Sequence, residues 1–168
     1  MNHQDASGSK LRWLWLAALV ILLDLSTKAM ATALLTYGNP VPIMPMFNLT
    51  LLHNTGAAFS FLAAESGWQR WFFVTLAVGV SVFLVRWLYS LKVEETWSAI
   101  AIVLILGGAL GNVYDRVVHG YVVDFLHFYW NDYHFPAFNI ADTAITIGAG
   151  MMIIDIFRKP REPEDTAG

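Results

Sequence analysis

Four stretches of this chain are apolar for long enough to cross a bilayer, and no other feature narrows the fold as much. A spanning helix needs about 20 mostly apolar residues, because the hydrocarbon is roughly 30 Å thick and each helical residue rises about 1.5 Å. Residues 11–35, 68–89, 97–118 and 140–157 meet this requirement, and the segments between them are too short for a separate soluble domain. Residues 1–168 therefore read as one integral membrane domain. Charged side chains make up 14% of the sequence, against about 25% in an average soluble domain, which excludes a solvated globule. A net charge of −3 with ten Lys and Arg leaves no basic surface for a phosphate backbone, so nucleic acid is not an expected partner. With no cysteine, the chain has neither a thiol nucleophile nor a zinc cluster of its own.

Basic residues collect on the cytoplasmic side of short loops. Lys10 and Arg12 precede the first span, Arg86 and Lys92 separate spans two and three, and Arg158, Lys159 and Arg161 follow span four. Both termini are therefore expected in the cytoplasm. Segments 36–67 and 119–138 contain no Lys or Arg, as the opposite face requires. Trp13, Trp15, Trp87 and Trp97 mark the inner interface, and Trp68, Trp71 and Trp130 the outer one. Ala29-Met30-Ala31 resembles a small-residue cleavage site, but a signal peptide's apolar region seldom carries an acid and a base like Asp24 and Lys28 just before the cut. The i, i+4 spacing of those two residues puts them on one helix face, where the expected role is a packing ion pair. Met1 to Ser9 and Pro160 to Gly168 read as short polar tails.

In the first outer segment, Tyr37-Gly-Asn-Pro-Val-Pro reads as a turn, and the alternation over Phe47 to Leu52 as a short strand. Asn54-Thr-Gly-Ala-Ala-Phe-Ser follows, with small residues that allow close backbone approach. Two readings stand: a small sheet lying on the membrane, or a platform whose edge takes an extended peptide. The second outer segment, 121–138, is aromatic-rich and reads as an interfacial loop. It also holds Asp124, His127, Asp132 and His134 near His119, but no His pair has the i, i+4 spacing of a helical zinc site, and no metal is expected.

An ionisable residue at membrane depth is costly and is a functional candidate by default. In Gly107-Gly-Ala-Leu-Gly-Asn-Val-Tyr-Asp-Arg116, Gly107 and Gly111 let a second helix approach, while Asn112, Asp115 and Arg116 read as a structural Asp–Arg and amide network. Asp124 sits among apolar neighbours that favour its protonated form. Asp142 stands where span four begins, with Asn139 placed as an N-cap and Asp142 as the acid of a capping-box-like turn. Each aspartate alone has a structural explanation. Together, at the adjoining ends of consecutive antiparallel spans, they form a pair that shares a proton and so supplies an acid and a base, as acid–base hydrolysis of a peptide requires.

The motifs Asn54-Thr-Gly-Ala-Ala-Phe-Ser, Gly107 to Arg116, Val122-Val-Asp124-Phe and Phe135-Pro-Ala-Phe-Asn-Ile-Ala-Asp142, in this order and with Asp24 and Lys28 ahead of them, resemble those of bacterial lipoprotein signal peptidases. The likeness runs from about residue 11 to 157. It implies an all-α integral membrane protein of four transmembrane helices with a small β-sheet cradle and an interfacial segment on the periplasmic side. It further implies a monomeric aspartyl endopeptidase of the inner membrane. Such an enzyme cuts diacylglyceryl-modified prolipoproteins on the N-terminal side of the lipidated Cys, beside membrane lipid and without metal or cofactor. By the motif match, Asp124 and Asp142 are the catalytic dyad, and Asn54, Gly56, Gly108, Asn112, Arg116 and Asn139 line the site. Two rival classes make different demands. A proton-coupled transporter or channel needs a polar path through the full bilayer, and an assembly subunit needs neither aspartate to be acidic.

Overall fold

The computed structural model describes residues 12–56 and 67–158. Residues 57–60 of the outer motif, Lys10, Lys159, Arg161 and both polar tails lie outside the described residues. The chain runs α1 (Leu14–Leu34), β1 (Val41–Met44), β2 (Phe47–Asn54), α2 (Trp68–Ser90), α3 (Thr96–Val118), β3 (Val122–Trp130), β4 (Tyr133–His134) and α4 (Ile140–Arg158). All four helices are long and apolar enough to cross a membrane.

Burial within α1 falls on Ala17, Val20, Asp24, Lys28 and Ala31, a stripe one residue wide per turn. The rest of α1 is apolar and exposed, as a helix solvated by lipid tails must be. In α3, by contrast, more than half of the apolar window is buried, because the other three helices pack around it. Gly107 and Gly111 do bring α3 against α1: a Cβ at Gly107 would fall 2.9 Å from the Ala17 carbonyl oxygen, and one at Gly111 would fall 2.6 Å from Asp24 Oδ2. Ala29-Met30-Ala31 lies in the last turns of α1, with Ala31 buried against the sheet.

The sheet has the order β1-β2-β3-β4, antiparallel throughout. It departs from expectation in three respects, the first being that Val41 and Pro42, expected in a turn, belong to β1. The second outer segment is not a loop lying on the membrane: its first half is β3, which pairs with β2 from Asn54 opposite Val122 to Phe47 opposite Phe128. The reason is the unbroken apolar run Val122-Val123-Asp124-Phe125, buried on both faces, which finds partners in the first outer segment and in the outer end of α1. β2 is also less regular than its alternation suggests, since its register slips between Leu49 and Leu52 and both Asn48 and Thr50 are buried. The chain then returns on itself. Phe138 and Leu126 exchange backbone hydrogen bonds at 3.0 and 2.9 Å, so α4 starts directly beside β3.

Two apolar clusters result. One, with Ala17, Leu84, Leu88, Ala99, Ile102 and Val103, fills the end of the bundle away from the sheet. The other, with Ala31, Leu51, Val123 and Phe125, joins α1 to the sheet. Between them lies a layer of buried polar side chains.

Candidate active site

The polar layer is built from α1, α3, β3 and the start of α4. Lys28 is its hub. Its ammonium lies 2.7 Å from Asp24 Oδ2 and 3.0 Å from Asp115 Oδ2, and donates to Asn112 Oδ1 at 2.9 Å. Asp115 therefore pairs with Lys28, not with its neighbour Arg116 as the spacing in α3 suggested; the Asp–Arg part of the expected network is corrected, because α1 presents a cation at closer range. The two carboxylates also hold backbone in place. Asp115 Oδ2 accepts the Val123 N–H at 3.0 Å, fixing the start of β3, and Asp24 Oδ1 accepts the Ala141 N–H at 2.9 Å, capping α4 from another helix.

Asn139 occupies the N-cap position of α4 and is fully buried. Its Oδ1 accepts the Asp142 N–H at 2.9 Å, the first half of the expected capping box. The second half is replaced: the bond made by the Asp142 carboxylate runs to Asn112 across the helix interface.

The orientation of both amides follows from these donors. Lys28 can only donate, so the atom of Asn112 facing it is oxygen, and its NH2 points to Asp142 Oδ1 at 2.8 Å. A backbone N–H faces Asn139 Oδ1, so its NH2 points to Asp124 Oδ1 at 2.7 Å, with the Val123 carbonyl and Asn112 Oδ1 at 3.3 and 3.4 Å. Each aspartate thus receives one amide hydrogen, from a side chain that is itself fixed. Asn54, brought to the end of β2 opposite Val122, donates a further hydrogen bond to Asp124.

Asp124 is 2% exposed, and burial pushes its carboxyl up from 3.8 to about 6, with the nearby Asp142 charge adding to the rise. The two aspartates are therefore close enough to influence each other's charge. The Arg116 guanidinium stacks over the Phe73 ring at 5.1 Å and lies within electrostatic reach of Asp142, Asp124 and Asp115. Gly56 has a φ of +86°, and a Cβ there would fall 2.5 Å from the same Phe73 ring, so both the turn after Asn54 and its packing on α2 require glycine. At Gly108 a Cβ would run into the Ala141 carbonyl oxygen; its absence lets α4 lie against α3 with Asp142 beside Asn112.

All eight residues singled out as the site, Asn54, Gly56, Gly108, Asn112, Arg116, Asp124, Asn139 and Asp142, fall in or against this layer. Sequence reasoning grouped Asp115 with Asn112 and Arg116 but left it, Asp24 and Lys28 out of the site, and it missed Phe73, which no polar signal marks. Among the described residues, no group of three or more His, Cys, Asp or Glu is placed to hold a metal ion.

The family model for signal peptidase (SPase) II matches residues 16–158. The chain is 54% identical over 167 residues to the lipoprotein signal peptidase of Aeromonas hydrophila, covering 99% of this chain and 98% of the relative. It is 53% identical over 153 residues to that of Vibrio campbellii, covering 90% and 91%. A solved bacterial membrane enzyme superposes with a TM-score of 0.79 at 31% identity, covering 89% of this chain and 94% of the other. A multi-pass bacterial membrane protein with a buried and a half-buried aspartate held by side-chain amides, this chain belongs to the signal peptidase II family of proteases.

Proposed function

We propose that the protein is a monomeric aspartic endopeptidase of the bacterial inner membrane, a single membrane domain that releases the signal peptide from lipoprotein precursors. Its substrate is a prolipoprotein carrying diacylglyceryl on the lipobox Cys, and the cut falls on the N-terminal side of that Cys. The observation that carries this reading is the pairing of amides and acids: Asn139 donates to Asp124 and Asn112 to Asp142, while both amides are anchored from behind. One oxygen of the Asp142 carboxyl is thus committed to an amide, leaving the other for a water or a shared proton, while Asp124 accepts from both Asn139 and Asn54. The ionised carboxylate takes a proton from the water as it attacks the scissile carbonyl. The protonated carboxyl gives its hydrogen to the carbonyl oxygen, and the proton taken from water passes to the leaving amine. Asp124, whose pKa burial raises to about 6, is the member that holds the proton. Arg116 and Asn54 orient the peptide, and Gly56 and Gly108 keep the backbone around it close.

The sheet end faces the periplasm and both termini the cytoplasm, in line with the Lys and Arg distribution. Arg70, at the sheet end of α2, agrees with this placement because its guanidinium is used within the protein, donating to the Val117 carbonyl at 2.6 Å where α3 ends. Beside Asp142, a groove of about 440 Å³ runs along α4 past Thr143, Thr146 and Ile147 under Phe135 to Phe138, and offers an exit into the bilayer for one acyl chain. The apolar cluster at the opposite end of the bundle supports a protease over a proton path.

The test is incubation of purified protein with diacylglyceryl-modified precursor, with release of the signal peptide read by mass spectrometry and unmodified precursor as control. Asp124→Asn and Asp142→Asn each abolish release while the protein still inserts and keeps its helical spectrum. Full cleavage by either variant, or intact lipidated substrate with a folded wild type, overturns the reading.

A further inference from the structure

The described residues include four histidines, all at the sheet end, in two pairs. The Tyr121 ring separates one pair, stacking on His53 at 3.9 Å and lying 6.0 Å from His119. The other pair touches directly. His134 Nδ1 is 3.2 Å from His127 Nε2, with the rings 14° from parallel. The hairpin creates this contact: His134 stands opposite Tyr129, and His127 shares a strand face with Tyr129 by the period of two. Two imidazole nitrogens at this distance cannot both carry hydrogens toward each other; one proton or one cation must lie between them.

In the tautomer that turns the lone pair of His127 Nε2 toward His134, the hydrogen on Nδ1 faces the Thr50 hydroxyl oxygen, 3.5 Å away, which can accept it. A ligating histidine has this arrangement, with its second ring nitrogen held by a neighbouring acceptor. Two nitrogen ligands of a tetrahedral ion, each about 2.05 Å from it, are about 3.3 Å apart, close to the separation found here.

We propose that His127 and His134 form a two-imidazole site for a divalent transition metal ion of the zinc class, exchangeable and separate from the aspartate pair. On binding, the His134 hydrogen moves from Nδ1 to Nε2 through solvent. Both rings stay neutral, and two metal–nitrogen bonds replace one N–H···N hydrogen bond. His134 is exposed, so water completes the coordination, and imidazole ligands favour zinc over magnesium or calcium. The ion clamps β4 to the strand that carries Asp124.

The full chain bearing His3→Gln, labelled with 15N-histidine in nonionic detergent, is titrated with Zn2+ while NMR follows the ring nitrogens. His127 and His134 shift together and saturate at one ion per chain, and Mg2+ moves neither. His134→Gln abolishes the saturable shift at His127 with an unchanged helical spectrum, whereas His53→Gln preserves it. Thr50→Val, which leaves both imidazoles in place, weakens Zn2+ binding several-fold. Resonances of His127 and His134 that stay unmoved at millimolar Zn2+, a His127 shift that survives His134→Gln, or prior saturation of His53 and His119 overturns the assignment.

Discussion

Asp124→Asn separates catalysis from stability, and the sign of its effect on stability follows from the burial of the carboxyl. In the unfolded chain the group titrates near 3.8; in the folded protein, near 6. An acid whose folded value is raised binds its proton more tightly in the native state, so its contribution is fully present below pH 3.8 and is lost as pH rises through 6. The difference corresponds to about 3 kcal/mol of stability withheld from the wild type above pH 6. A carboxamide carries no charge to desolvate and recovers that amount. It is a weaker acceptor for the Asn139 and Asn54 amides, which returns about 1 kcal/mol. The net gain is about 2 kcal/mol at pH 8, a rise on the order of 5 °C in melting temperature for a chain of this size. The assay is thermal denaturation in nonionic detergent from pH 4 to pH 8, followed by circular dichroism, with Asp132→Asn on the exposed turn as control. The inactive variant melts above the wild type at pH 8, and the two curves converge toward pH 4. A native-like variant that is no more stable at pH 8, or whose gain is the same at every pH, refutes the assigned burial and charge of Asp124.

The remaining predictions concern the frame around the pair. Lys28→Met leaves the Asp24 and Asp115 carboxylates buried without their cation and costs about 3 to 5 kcal/mol, measured as the shift in a denaturant midpoint. Gly108→Ala drives a methyl into the Ala141 carbonyl, moves Asp142 from Asn112 and lowers kcat/KM about 100-fold, whereas Gly79→Ala, which faces open space, leaves cleavage unchanged. Asn139→Ala removes the cap of α4 and the amide on Asp124 together, costing about 1 kcal/mol for the cap and most of the activity.

The four helices were legible because a bilayer demands length and apolarity, which a sequence displays directly. The pairing of Asp124 with Asp142 was legible for a related reason, since consecutive spans return to the same face. The sheet was legible only in part. β2 showed in the alternation after Phe47, but β3 was obscured because Val122 to Phe125 is buried on both faces and so has no alternation to display. The partners of Lys28 were hidden for a different reason. An i, i+4 acid and base explain each other, and nothing local shows that Asp115, 87 positions on, shares the same ammonium. The histidine pair escaped similarly: a helical metal-site spacing does not apply to positions joined by a hairpin.

The frame and the acids divide the labour unequally. Asp124 is held by neutral amides in a position that disfavours its charge, so the native fold gains when that charge is removed. Lys28 does the reverse: it neutralises two carboxylates that anchor Val123 and Ala141, and it also determines that Asn112 offers hydrogen rather than oxygen to Asp142. A substitution at Lys28 is therefore expected to lower activity and stability together, while one at Asp124 is expected to raise stability and, on the proposed mechanism, to destroy activity. Asn112→Asp distinguishes a positioned amide from mere filling of space. The new carboxylate still accepts from Lys28 but has no hydrogen for Asp142, so the expected variant is folded, cation-paired and slow. A variant as active as the wild type would mean that Asp142 does not depend on that amide.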